Sequence, residues 1–139
     1  MTHQSRIRNA MLYTEAFLLL STFRVSLAIL PVKCIVRLIT RRRDDAILCC
    51  ASSAFPTNLK IILEAIQTVV QHSKIKFVCF PQSLAGYVML RRRRIHSTIV
   101  YGIRRHQGRL ISHTWLKRGD EILIGGEGAE NFAEIAEWF

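Results

Sequence analysis

The four cysteines, at positions 34, 49, 50 and 79, show no Cys-x-x-Cys spacing and no companion histidine at zinc-site distance. That excludes the usual structural zinc folds. Cys49 and Cys50 are adjacent, a poor geometry for bridging each other, so the thiols read as reduced and the compartment as cytoplasmic. No stretch has the form of a secretory signal with a small-residue cleavage site. No Gly-rich phosphate loop, RNP-type aromatic pattern or zinc finger accompanies the basic residues, so neither nucleic acid nor a metal or other cofactor is expected. Repeats and low-complexity segments are absent. The longest apolar run falls short of the ~20 residues that a bilayer span requires, which makes a span the least expected arrangement. The longest candidate, residues 16–30, has Arg24 near its centre. It is expected to lie as a helix against the rest of the domain or a partner protein; a membrane-surface helix is the other arrangement it allows.

What is present suits one domain. A chain of 139 residues, half of them hydrophobic, can bury a real core. The formal net charge of +10 is concentrated in Arg41-Arg42-Arg43, Arg91-Arg92-Arg93-Arg94, Arg104-Arg105 and Lys117-Arg118. Such runs are ordinarily solvated helix ends and loops; otherwise they meet an anionic partner such as an acidic peptide or lipid headgroups.

Periodicity divides the chain in two. Residues 1–8 are polar and read as loose. Leu12, Phe17, Leu20, Phe23, Leu27 and Leu30 recur at helical spacing, Pro31 interrupts, and residues 32–39 continue as a short second helix. This apolar helical lead-in covers residues 9–40. Residues 41–45 and 51–56 are connecting stretches. Asn58 can cap a helix running to about His72. A link over 73–77 leads into a helix in which Phe80, Leu84, Tyr87 and Val88 form a buried face. After Arg94 the period becomes two: a strand over 97–103, a turn at Gln107-Gly108, a strand over 110–116, a tight turn at Arg118-Gly119-Asp120 and a strand over 121–124. Phe132, Ile135 and Phe139 predict a closing helix. Helices followed by an antiparallel meander make the class α+β, with residues 58–139 as its core.

Two residues carry the chemistry. Cys79 stands at the start of a helix whose first turn contains Pro81, where unpaired amides and the positive end of the helix dipole favour a thiolate. His113 lies mid-strand between Ser112 and Thr114, with Trp115 on the same side to wall off water. Taken singly, each is more often a structural residue: a small core thiol, a half-buried strand histidine. Together they suit a cysteine nucleophile and its base.

The order of these segments resembles the transglutaminase-like (papain-like) core, and more closely the leader peptidases of lasso-peptide biosynthesis, the microcin-processing type. The resemblance rests on Glu15-Ala16-Phe17-Leu18-Leu19-Leu20, Arg24 and Leu30-Pro31-Val32 in the lead-in. It continues with Cys79-Phe80 and Ser83-Leu84-Ala85, Leu90-Arg91-Arg92-Arg93 and Ile95, Tyr101-Gly102-Ile103-Arg104, then His113-Thr114-Trp115-Leu116 and Gly119-Asp120. It implies an enzyme that removes the leader from a ribosomally made precursor peptide, before a separate ATP-dependent lasso cyclase closes the macrolactam. A separate leader-recognition domain protein presents the leader, and a free-standing peptidase is expected here. A non-catalytic member of the same fold, binding precursor or scaffolding maturation, is the alternative. A membrane-surface or nucleic-acid-binding protein, suggested by the arginine runs, leaves Cys79 and His113 unexplained.

One departure stands out. The family pattern has an aspartate 12 residues after the histidine, and that position is Gly125. With residues 118–120 as the hairpin loop, Lys117 pairs with Glu121 and His113 falls opposite Gly125, where a carboxylate would orient the imidazole. Asp120 is too far up the hairpin. Glu127, two positions on and nominally on the same face, is the expected orienter. A backbone carbonyl or an Asn/Gln serving a Cys–His dyad, or an impaired enzyme, are the alternatives.

Overall fold

The computed structural model describes residues 3–40 and 57–138. The connecting stretches at 41–45 and 51–56, with Cys49 and Cys50, lie outside the described residues. Four helices precede a four-stranded antiparallel sheet: α1 His3–Ile29, α2 Val32–Thr40, α3 Thr57–His72, α4 Cys79–Arg92, β1 Thr98–His106, β2 Arg109–Arg118, β3 Glu121–Ile124 and β4 Ala133–Trp138, in sheet order β3-β2-β1-β4. The α+β class expected from the sequence is therefore observed.

The lead-in is more ordered than its polarity suggests. Residues 3–8, expected to be loose, are the first turns of α1. They hold neither Gly nor Pro and extend a helix already anchored further along. Pro31 breaks it: its ring cannot follow a helical residue and it has no N–H to donate. The chain resumes at once, with Cys34 N–H donating to the Pro31 carbonyl at 2.9 Å. Leu12, Ala16, Leu20 and Phe23 of α1 meet Leu59, Ile62, Ala65 and Ile66 of α3, Leu84, Met89 and Leu90 of α4, and Ile99 and Leu116 of the sheet in one core. Each large side chain so buried contributes about 1.5–3 kcal/mol. Asn58, expected as a cap, falls inside α3.

The run Arg91–Arg93 is not a solvated helix end. Arg91 donates to the Ile39 carbonyl and, at 3.3 Å, to the Tyr87 hydroxyl. Arg92 and Arg93 close on the Glu15 carboxylate at 3.0 and 2.6 Å. The end of α4 is thereby tied to both lead-in helices.

In the sheet, β1 and β2 form a regular hairpin from Thr98↔Lys117 to His106↔Arg109. Gln107 (φ 49°) and Gly108 (φ 77°) make its two-residue turn, the positive-φ pair that suits the twist of a tight hairpin. The β2–β3 turn differs from expectation. Its loop is Gly119-Asp120 alone, so Arg118 pairs with Glu121 and Lys117 with Ile122, and a bulge then sets Leu116 opposite Ile124. The predicted pairing of Lys117 with Glu121 is off by one. The closing segment differs more. It forms not a helix but β4, paired with β1 from Ile99↔Trp138 to Ile103↔Ala133. Without it the second edge of β1 would present unpaired backbone groups, and that demand outweighs the helical spacing of Phe132 and Ile135.

Candidate active site: Cys79 and His113

Cys79 is the first residue of α4. Val78 before it is extended (φ −78°, ψ 173°), and no side chain caps the helix. The amides of the first turn are therefore free to donate to a bound oxygen. Two hydrogen bonds fix the segment entering this turn. Arg24 of α1 donates to the Lys76 carbonyl, and Gln82 Nε2 donates to the Phe77 carbonyl at 2.7 Å. Arg24, the only arginine between residues 9 and 30, thus positions the approach to the cysteine. Gln82 carried no signal in the sequence beyond its place one turn into the helix. The Cys79 thiol is half-buried; Cys34 is exposed on α2 and stands apart from the site.

His113 is half-buried on β2, and its Nε2 lies 2.8 Å from the Gly125 carbonyl oxygen. A carbonyl only accepts, so Nε2 carries the hydrogen and the neutral ring keeps its lone pair at Nδ1. The ring is flanked by Trp115, centroids 5.8 Å apart, and by Phe132 at 5.2 Å; the Arg104 guanidinium lies 5.0 Å over Phe132. Trp115 is buried, as expected of a wall against water. Gly102 pairs directly with His113. A Cβ there would come within 2.7 Å of the Trp115 ring and 2.9 Å of Phe132 Cβ, so the aromatic wall closes because this residue has no side chain. Phe132 was missed as a site residue, since a closing helix would have carried it elsewhere.

Gly125 is the acceptor, and its geometry explains why no aspartate stands there. Its φ is +76°, and a Cβ would lie 2.9 Å from the Thr114 carbonyl oxygen and 3.3 Å from Trp115. The chain presses its backbone against β2, and the carbonyl reaches the imidazole. Glu127, expected at this nitrogen, is exposed, and the Gly125 carbonyl occupies the place foreseen for it.

Cys79 and His113 each lie near where α4 meets β2, but the structure does not bring their side chains together. A Cβ on Gly86 of α4 would meet Ile124 and Leu116, and Ser83 Oγ donates to the Thr114 carbonyl at 3.3 Å. Cys79 precedes Ser83 by one turn, roughly 6 Å, and His113 precedes Thr114 by one residue, roughly 3.3 Å. Along β2, Thr114 and Leu116 face α4, whereas His113 and Trp115 take the other face. Among the described residues no hydrogen bond joins the thiol to the imidazole.

A family model described as the transglutaminase-like superfamily matches residues 17–137. The match spans most of the chain, which therefore belongs to that superfamily, one that commonly includes cysteine peptidases. No curated protein and no solved structure matches the chain significantly.

Proposed function

We propose that this chain is a cysteine peptidase that removes the leader from a ribosomally made lasso-type precursor before macrolactam closure. The observation that carries the peptidase reading is Cys79 at an uncapped helix start, on a superfamily fold whose strand histidine has one nitrogen held by a backbone carbonyl. The lasso assignment rests on the order of the motifs along the chain. In the proposed reaction Nδ1 of His113 takes the Cys79 thiol proton as the sulfur attacks a peptide carbonyl. The carbonyl oxygen becomes an oxyanion held by first-turn amides of α4. Collapse of that adduct breaks the peptide bond, and the His113 proton passes to the leaving amine. Water, deprotonated by the same nitrogen, hydrolyses the thioester and releases the leader with a free carboxylate. The Gly125 carbonyl keeps Nε2 protonated throughout and steadies the imidazolium. The reaction requires the Cys79 thiol and the His113 imidazole, which lie on different sides of β2 here, to come together when substrate binds. In this reading the partners are the precursor peptide, a leader-recognition domain protein and an ATP-dependent cyclase.

The test is mass spectrometry of a lasso precursor incubated with the protein and its recognition-domain partner, wild type beside Cys79→Ala. A leader fragment with wild type alone supports the proposal. Absence of the fragment with both, from folded protein that still binds precursor, rejects it. A second reading, a non-catalytic binding member of the superfamily, is favoured by the absence of a hydrogen bond between Cys79 and His113. Thiol alkylation separates the two: an enzyme's Cys79 slows when His113 becomes Ala, whereas a binding protein's does not.

A further inference from the structure

The lead-in helix α1 has two apolar faces, and one of them is bare. Leu12, Ala16, Leu20 and Phe23 are buried. Ile7, Met11, Thr14, Leu18, Thr22, Val25 and Ile29 are exposed, and at 100° per residue all seven fall within an arc of about 80° on the opposite side. Met11, Leu18, Val25 and Ile29 are 58–75% accessible. The stripe is roughly 33 Å long. Its length and hydropathy satisfy those of a membrane span, but its other face is packed against α3 and α4 and its one central cation, Arg24, is bound to the Lys76 carbonyl. It can only lie along a surface.

Charge says which surface. Arg6 and Arg8 flank the stripe on either side at its start, and Lys33 and Arg37 are exposed on α2 just beyond its end, beside the 74% accessible Leu38. The single acid in α1 and α2 is Glu15, which Arg92 and Arg93 neutralise from the protein side. A second copy would bring the same cations, with only Glu64 near Arg8 to meet them, and Lys60 lies 3.9 Å from that carboxylate. The remaining described acids (Asp120, Glu121, Glu127, Glu130, Glu134, Glu137) are confined to residues 120–137, where Lys and Arg are absent. An apolar strip rimmed by cations, with the negative charge in a separate segment, matches a bilayer containing anionic phospholipid. We propose that the protein docks on such a membrane through the outer face of α1, lying in the interfacial plane. This does not depend on the peptidase reading.

The full chain is sedimented with vesicles of zwitterionic phospholipid, with and without an anionic phospholipid. The protein is expected to pellet with the anionic vesicles and to be released by salt. Arg6→Gln and Arg8→Gln should each weaken binding about fivefold. Leu18→Glu with Val25→Glu should abolish it; both side chains are exposed, so an unchanged far-ultraviolet circular dichroism spectrum is expected alongside. The proposal is overturned if the wild type stays in the supernatant, if zwitterionic vesicles bind it equally, or if the double variant still pellets. It is also overturned if sedimentation velocity shows a dimer that the double variant dissolves, since the stripe is then covered by a second copy.

Discussion

At the scale of single residues, the candidate site turns on a glycine that contributes no side chain and whose carbonyl oxygen holds the imidazole. In the proposed reaction, placing an aspartate here by Gly125→Asp should not improve turnover. It places a Cβ 2.9 Å from the Thr114 carbonyl at a φ of +76°, and displacement of the backbone moves the Nε2 acceptor. Precursor cleavage should fall about tenfold to a hundredfold in kcat/KM; a rise would show that a carboxylate is wanted after all. Gly102→Ala should push Trp115 and Phe132 apart, lower stability by about 1–3 kcal/mol in urea titration and alter the near-ultraviolet spectrum of the aromatic wall. The helix start at Cys79 and the strand holding His113 were legible in the sequence because a proline-marked first turn and an alternating strand are side-chain patterns. A backbone carbonyl stood among the alternatives, but which carbonyl was not legible, because a backbone oxygen leaves no residue type to read, and because a two-residue loop and a bulge replaced the three-residue loop that hairpin arithmetic assumed.

At the scale of elements, α4 is held in place from both ends by arginines. Arg24 grips the segment before it, and Arg24→Ala should accelerate amide exchange at residues 75–78 about tenfold, the loss of one hydrogen bond to a charged group. At the other end, burial resists ionisation of the Glu15 carboxyl, but the hydrogen bonds and charges of Arg93 and Arg92 outweigh it and leave Glu15 below the usual carboxylate range. A carboxyl lowered in the folded state contributes stability above its unfolded pKa and loses it as pH falls through the folded value. The gap in unfolding free energy from urea titration between wild type and Glu15→Gln should therefore be about 1 kcal/mol near neutral pH and close on acidification below about pH 4. Element types were mostly readable from periodicity. The exception is β4, where Phe132 and Ile135 have helical spacing but the open edge of β1 takes the segment as a strand. That need is non-local and invisible to a window of ten residues.

At the scale of the whole molecule, the helical lead-in shares one core with α4 and the sheet. Leu12, Leu20 and Phe23 of α1 lie in the same cluster as Leu84, Met89 and Leu116. At about 1.5–3 kcal/mol each, their removal costs roughly as much as a domain's whole stability. A chain lacking α1 should therefore lose its near-ultraviolet signal and cooperative unfolding rather than survive as an isolated sheet; retention of both would show the two halves to be separable. The sheet order has a temporal side as well. Phe132 beside His113 and the strand that covers β1 are both made after every other piece of the site. During synthesis the cysteine, the histidine and the nucleophile helix have all been translated while one side of the imidazole's aromatic wall and one sheet edge are still missing. On the proposed peptidase reading, a ribosome-bound chain carries Cys79 before its site is walled, and proteolytic competence follows only once residue 132 and the strand after it have been added.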